Sequence, residues 1–185
     1  LAGCGSETAA QGGETSTSAE DGYNVAVIVK LTDGHFNKVI AGAEAYEAEH
    51  SNVTVDIQSP SAATAYDEQM NMIETTLSNP QYDAVIISPQ QSDTAETLVA
   101  NTDKVVIALD TDFTSDKKST FVGTGNEDAA RAGGEAAAKA AIASGIEKPT
   151  AVIMTGVQGD ETHDARLNGY REGFESAGGE VVEVQ

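Results

Sequence analysis

From Tyr23 onward the chain alternates between short runs of β-branched and aliphatic residues and longer stretches in which apolar residues recur at helical spacing. The strand-like runs are NVAVIVK (24–30), VTVDI (53–57), DAVIIS (83–88), KVVIAL (104–109), TAVIMT (150–155) and EVVEV (180–184). Most are nearly continuous apolar segments, the pattern of parallel strands covered on both faces. Helical stretches fall between them at 35–49, 62–77, 93–101, 127–144 and 164–177, and the last stops at Gly178-Gly179, a helix-ending pair. This order predicts an α/β fold with a doubly wound parallel sheet, its right-handed crossovers placing helices on both faces. Ligands of such sheets sit beyond the carboxyl ends of the strands, which selects residues 30–36, 58–62, 88–92, 110–113 and 155–166 as the places to look.

The pattern changes ahead of Tyr23. Between Gly5 and Gly22 there is no large apolar residue, so segment 1–22 cannot bury enough surface to offset its ordering entropy and is expected to be a flexible acidic tether. With 30 acidic against 10 basic side chains, the formal net charge of the 185 residues is −20. Such a field repels phosphate backbones and anionic membrane surfaces; it excludes nucleic-acid binding through a basic face and leaves a neutral or cationic small partner. Hydrophobic residues make up 39%, enough for the core of one domain or slightly more. A single cysteine, Cys4, forms no internal disulfide and builds no multi-thiolate metal site. No apolar run approaches the ~18 residues of a membrane span.

Leu1-Ala2-Gly3-Cys4 resembles the lipobox that ends a bacterial lipoprotein signal peptide. The resemblance implies that Cys4 becomes an acylated first residue, that the rest of the signal lies upstream of Leu1, and that the body works outside the cytoplasmic membrane on a lipid anchor. In the body, VAVIVKLTDGHFNKVIAGAEAYEAE, Ser88-Pro89 at a strand end, LDTDF at 109–113 and ARLNGYREGF at 165–174 occur in order between the strands. Together they resemble the ribose- and galactose-type sugar-binding proteins of bacterial ABC importers, over about 24–185. That resemblance implies two similar lobes closing on a sugar: a first lobe over 23–125, a partial second lobe over 126–185, and a hinge near Gly123 to Asn126. Family members continue beyond the equivalent of Gln185, so a truncated second lobe is expected, with an uncovered parallel edge, exposed apolar helix faces and weak binding. The implied partners are a monosaccharide or polyol and a membrane ABC permease; the complete protein is expected to be monomeric and to need no cofactor or metal.

A monosaccharide presents hydroxyls around flat C–H faces, so its receptor needs carboxylates, amides and guanidinium groups at the rim and aromatics over the faces. Matched to the family's motifs, Asp33, His35 and Phe36 occupy its Asn-Pro-Phe-Phe-like first loop, which implies a hydroxyl contact from Asp33 and stacking by Phe36. Asp33 at the asparagine position and His35 at the first aromatic are departures from that pattern. Ser88 falls where members place a hydroxyl-binding residue, and Asp110 matches the aspartate whose two oxygens accept from neighbouring hydroxyls. Asp112 is expected to join it or to face solvent, and Arg166, in R-x-x-G-Y, matches the sugar-binding arginine and is expected to span the cleft over acidic acceptors. Ordinary structural roles compete: Asp33-Gly34 as a turn, Phe36 as a core anchor with Val39, Ile40 and Ala43, Asp110 as a turn former, Asp164 as a helix cap beside His163 at the cleft mouth.

Signals for catalysis fail. GTGNEDAARAGG (123–134) has two glycines of a dinucleotide loop but Asp128 in place of the third, where it would repel a pyrophosphate; it reads as a lobe-crossing segment entering a capped helix. His35, His50 and His163 lack metal-ligand spacing and no G-x-S-x-G elbow occurs. Binding rather than turnover is the expected activity. The same fold also serves as a ligand-sensing module feeding a chemoreceptor, kinase or quorum-signalling system. A repressor's ligand domain would need a basic helix-turn-helix where the acidic tether stands, and a flavodoxin-like enzyme would carry a chromophore.

Overall fold

A computed structural model describes residues 22–156 and 160–185; Cys4 and all of the expected tether except Gly22 lie outside the described residues. Strands β1 (Tyr23–Ile28), β2 (Val53–Gln58), β3 (Ala84–Ile87), β4 (Val105–Leu109) and β5 (Lys118–Val122) form one sheet in the order β2-β1-β3-β4-β5. Every pairing in it is parallel. A second sheet pairs β6 (Thr150–Ile153) with β7 (Glu180–Val184), also in parallel. Helices α1 (Phe36–Glu49), α2 (Tyr66–Ser78) and α3 (Ser92–Val99) belong to the first unit; α4 (Asn126–Ala143) and α5 (Glu161–Ser176) accompany the second sheet.

Side-chain alternation decides which helix covers which face. Register places Ala26, Val85 and Val106 in one row and Ile28, Ile87 and Ala108 in the next. Both rows pack with Ile73 of α2, Ala95 and Val99 of α3, and Phe113. The opposite parity, Val25, Val27, Val29, Val55, Ile57 and Ile86, packs under Phe36, Val39, Ile40 and Ala43 of α1. Two buried faces explain why these strands read as continuous apolar runs.

Strand β5 was not foreseen from the pattern. KSTFV has no apolar run, and all five of its residues are exposed or half-buried; it exists through pairing with β4, with a register shift between Val106 and Ile107. The chain leaves β4 through Asp110, whose φ of 64° is left-handed, and its N–H donates to Val122 O at 2.9 Å. That turn opens the 110–117 connection, which carries the chain back toward the start of β4 so that β5 pairs with it in parallel, Lys118 beside Val106.

Two helix starts differ from expectation. Helix α4 is entered through Gly125 without a side-chain cap. Helix α5 begins three residues earlier than expected because Asp160, rather than Asp164, caps it, accepting from Thr162 N at 2.8 Å and His163 N at 3.3 Å. Helices α4 and α5 lie against each other through Gly134, Gly169 and Gly173. On the second sheet Val152, Met154 and Val182 are exposed.

Candidate functional site

The carboxyl ends of β1, β3 and β4 meet the amino end of α5. In the loop after β1, Asp33 Oδ1 accepts from His35 N at 2.9 Å and Phe36 N at 2.8 Å, and Asp33 O accepts from Asn37 N at 2.8 Å. This oxygen is therefore committed to the start of α1. The turn sets the His35 ring edge-on to Phe36, with centroids 5.0 Å apart, and brings His35 Nε2 to 3.0 Å from Asp110 Oδ1. Both partners remain accessible, with side chains 63% and 31% exposed. The left-handed turn at Asp110 thus places a carboxylate and an imidazole together at the mouth of the sheet.

Three expected contacts are placed differently. Phe36 is 4% exposed inside the α1-side core, so it supports His35 and offers no face to a sugar; its apolar stripe with Val39 and Ile40 draws the ring inward. Ser88 is fully buried, and its Oγ has no hydrogen-bond partner among the described residues, so it presents no hydroxyl at the surface. Asp112 neither joins Asp110 nor stands free: Oδ1 pairs with Lys118 of β5 and accepts from Phe113 N at 2.8 Å.

Arg166 reaches the first residue of α4 rather than the acidic acceptors: its Nε donates to Asn126 Oδ1 at 2.9 Å. It lines a cavity of about 580 Å³ with Asn126, Met154, Thr155, His163 and Tyr170. A second cavity of about 580 Å³ runs between the two units, from Asp112 and Phe121 to Glu161, Thr162 and Asn168. Each volume suits a small ligand.

Among the described residues, the cation that crosses between the units is Lys30, whose Nζ pairs with Asp160 Oδ2. Beside this pair, Thr162 Oγ1 donates to Thr111 Oγ1 at 3.2 Å, Glu161 N to Ser92 Oγ at 3.3 Å, and Thr114 Oγ1 to Glu161 Oε1 at 3.5 Å. Two glutamines hold the strand ends beneath: Gln69 Nε2 donates to Val29 O and Ser88 O, and Gln90 Nε2 to Lys30 O and Ala62 O. Lys30, Asp160, Gln69 and Gln90 were not singled out from the sequence. Lys30 and Asp160 fall in strand-end loops that were, and Gln69 shares the buried helical spacing of Ile73 and Thr76.

Burial pushes the Glu161 carboxyl above the ordinary value of 4.5, helped by the negative charge of Asp112 and opposed by Lys118 and the Thr114 hydrogen bond. A raised value means that the folded chain keeps a proton the unfolded chain has released. Its contribution to stability is complete below the ordinary value and is lost as pH rises through the folded one. Glu161→Gln is expected to remove that loss, so its advantage over the parent in thermal melts should grow from about pH 4 to about pH 7. A difference that stays constant with pH would contradict this.

A family model described as a periplasmic binding protein domain matches residues 25–185. No curated protein matches the chain. Among solved structures, an ABC transporter solute-binding protein from Agrobacterium vitis with bound D-fucose is 26% identical with a TM-score of 0.73, the match covering 88% of this chain and 57% of that one. One from Burkholderia graminis in complex with D-arabinose is 25% identical with a TM-score of 0.76, covering 88% and 55%. The fructose-binding periplasmic domain of a hybrid two-component system, 19% identical with a TM-score of 0.77 and covering 88% and 53%, shares the fold. The chain thus spans a little over half the length of these solved proteins.

Proposed function

This chain belongs to the periplasmic binding protein family, and we propose that it captures a monosaccharide or related polyol outside the cytoplasmic membrane and presents it to an ABC permease. The family binds ligands without turning them over, and membership implies an extracytoplasmic location. A lipid on Cys4 would hold the body near its permease. The observation that carries the sugar reading is the accessible Asp110–His35 pair at the carboxyl end of β4; Asp112, two residues further on, lines the cavity shared by the two units. An ionised carboxylate accepts from adjacent sugar hydroxyls with bonds about twice as strong as neutral ones. Asp110 and His35 offer acceptor and donor from the first unit; Arg166 and Asn126 offer a guanidinium and an amide from the hinge side. A ligand touching both units favours the closed arrangement, so affinity and closure form one equilibrium.

The test is calorimetric titration of D-fucose, D-arabinose, D-galactose and D-glucose into the protein expressed from its complete reading frame with Cys4→Ser. Saturable binding of one or two sugars is expected, and Asp110→Ala should weaken it by about 1.5–3 kcal/mol, roughly 10- to 150-fold. A folded protein that binds none of them would overturn the reading. The two-component neighbour favours a second reading, a sensor that reports sugar occupancy to a kinase. A kinase gene beside this one, in place of permease and ATPase genes, would support that role.

A further inference from the structure

The charges at the junction of the two units are already matched to one another. Lys30 and Asp160 are paired with side chains 14% and 3% exposed, so a ligand entering between the units meets a neutral pair rather than a free ammonium. Asp160 cannot swing aside cheaply. Its Oδ1 accepts from Thr162 N and His163 N, and rotation would uncap α5; its Oδ2 also lies 3.8 Å from His163 Nδ1. Lys30 is fixed from below, because Gln90 Nε2 holds its carbonyl at 2.8 Å and Gln69 Nε2 holds the carbonyl of Val29 at 3.1 Å. The nearby Lys118 is taken by Asp112 and Phe113 O, while Arg166 faces the amide of Asn126. Asp112, Glu161, Asp128 and Asp164 add negative charge along the cavity between the units, and Asp110 adds more at the carboxyl end of β4.

We propose that Asp160 is a specificity-determining residue: by neutralising Lys30 it makes the cleft select uncharged sugars and reject those carrying a carboxylate or phosphate. This inference rests on the sugar-receptor reading. An anionic sugar entering between the units would lose its hydration beside several carboxylates, with the ammonium that bridges the units already paired. Discrimination by an unfavourable charge is cheaper than discrimination by shape, since a uronate differs from its parent hexose only at one carbon.

Asp160→Asn tests this directly, because asparagine caps a helix as well as aspartate does, yet it releases the ammonium of Lys30. The probes are D-fucose, D-galactose and D-glucose against D-galacturonate and D-glucuronate, titrated into the parent, Asp160→Asn, Asp160→Ser and the double variant Lys30→Met/Asp160→Asn. The parent is expected to bind a neutral sugar and no uronate. In Asp160→Asn the ratio of uronate to neutral-sugar affinity should rise at least tenfold, and the gain should vanish in the double variant. Asp160→Ser, also a good cap, gives the same readout if the asparagine variant fails to fold. A parent that binds a uronate as tightly as its neutral counterpart, or an unchanged ratio in folded Asp160 variants, would overturn the proposal while leaving the receptor reading intact. A parent that binds no sugar at all removes the receptor reading and this inference with it.

Discussion

Replacing Gly173 with alanine is expected to cost about 3 kcal/mol, the upper part of the range for forcing a methyl into a filled interface. A Cβ there would stand 1.9 Å from Arg131 O, a backbone atom that cannot rotate away. The same geometry repeats one turn earlier and on the partner helix: a Cβ on Gly169 would meet Glu127 O at 2.1 Å, and one on Gly134 would meet Tyr170 O at 2.2 Å. Helices α4 and α5 therefore touch backbone to backbone, and Arg131 seals the seam by binding Glu172 through Nε at 2.9 Å. Interior helix glycines each cost about 1 kcal/mol relative to alanine, so the close approach must return more than the propensity it gives up. Gly133 is the control. Apart from its own stretch of helix, no described atom lies within 4 Å of its would-be Cβ, so Gly133→Ala should stabilise by about 0.5–1 kcal/mol. Urea unfolding of the two variants side by side measures both effects. Because α4 starts at Asn126 and α5 carries Arg166, a forced separation should also stretch their 2.9 Å bond and weaken the sugar binding proposed above. A Gly173→Ala melt indistinguishable from the parent would mean that the helices have room to spare.

Lys30→Met should cost a similar amount, about 3 kcal/mol, since it leaves a buried carboxylate without its counter-charge. Asp160 is 3% exposed in its side chain and is pinned by its capping bonds, so water reaches it only if the amino end of α5 leaves the first unit. The loss should therefore appear as faster amide exchange at Glu161, Thr162 and His163, together with fewer Thr111–Thr162 and Ser92–Glu161 contacts. Asp160→Asn should cost less, because a lysine stem can carry its ammonium toward water while a short carboxylate cannot follow. Equal exchange at residues 161–163 in parent and Lys30→Met would show that the pair does not hold the units together.

Legibility from sequence tracked how locally each feature is caused. Strands β1 to β4, β6 and β7 announce themselves as apolar runs, and all five helices show their period, because burial on fixed faces leaves a periodic trace. Position after a strand selects the loop 110–113, since such residues lie at the opening of a parallel sheet whatever their partners, and the family motif singles out Asp110 within it. Its left-handed backbone and its bond to His35 were not readable, for His35 lies 75 residues away in the chain. Phe36 and Ser88 show the converse. A motif position fixes where the backbone runs, but the direction and burial of a side chain depend on what packs above it, and α1 and the strand interior enclosed both.

The class of fold, the parallel pairing of the principal strands, the acidic character of the chain and the strand-end loops proposed to hold a ligand could all be read from the residues alone. Each follows from composition or from spacings within one element, which are properties of neighbouring residues. Folding in three dimensions was needed to turn a polar segment into β5, to cap α5 with Asp160 rather than Asp164, and to bring Lys30 rather than Arg166 across between the units. These outcomes depend on contacts between residues far apart in the chain. Strand pairing gives Lys118–Val122 its partner, and the descent of α5 onto the first sheet brings Asp160 within reach of an ammonium 130 residues earlier.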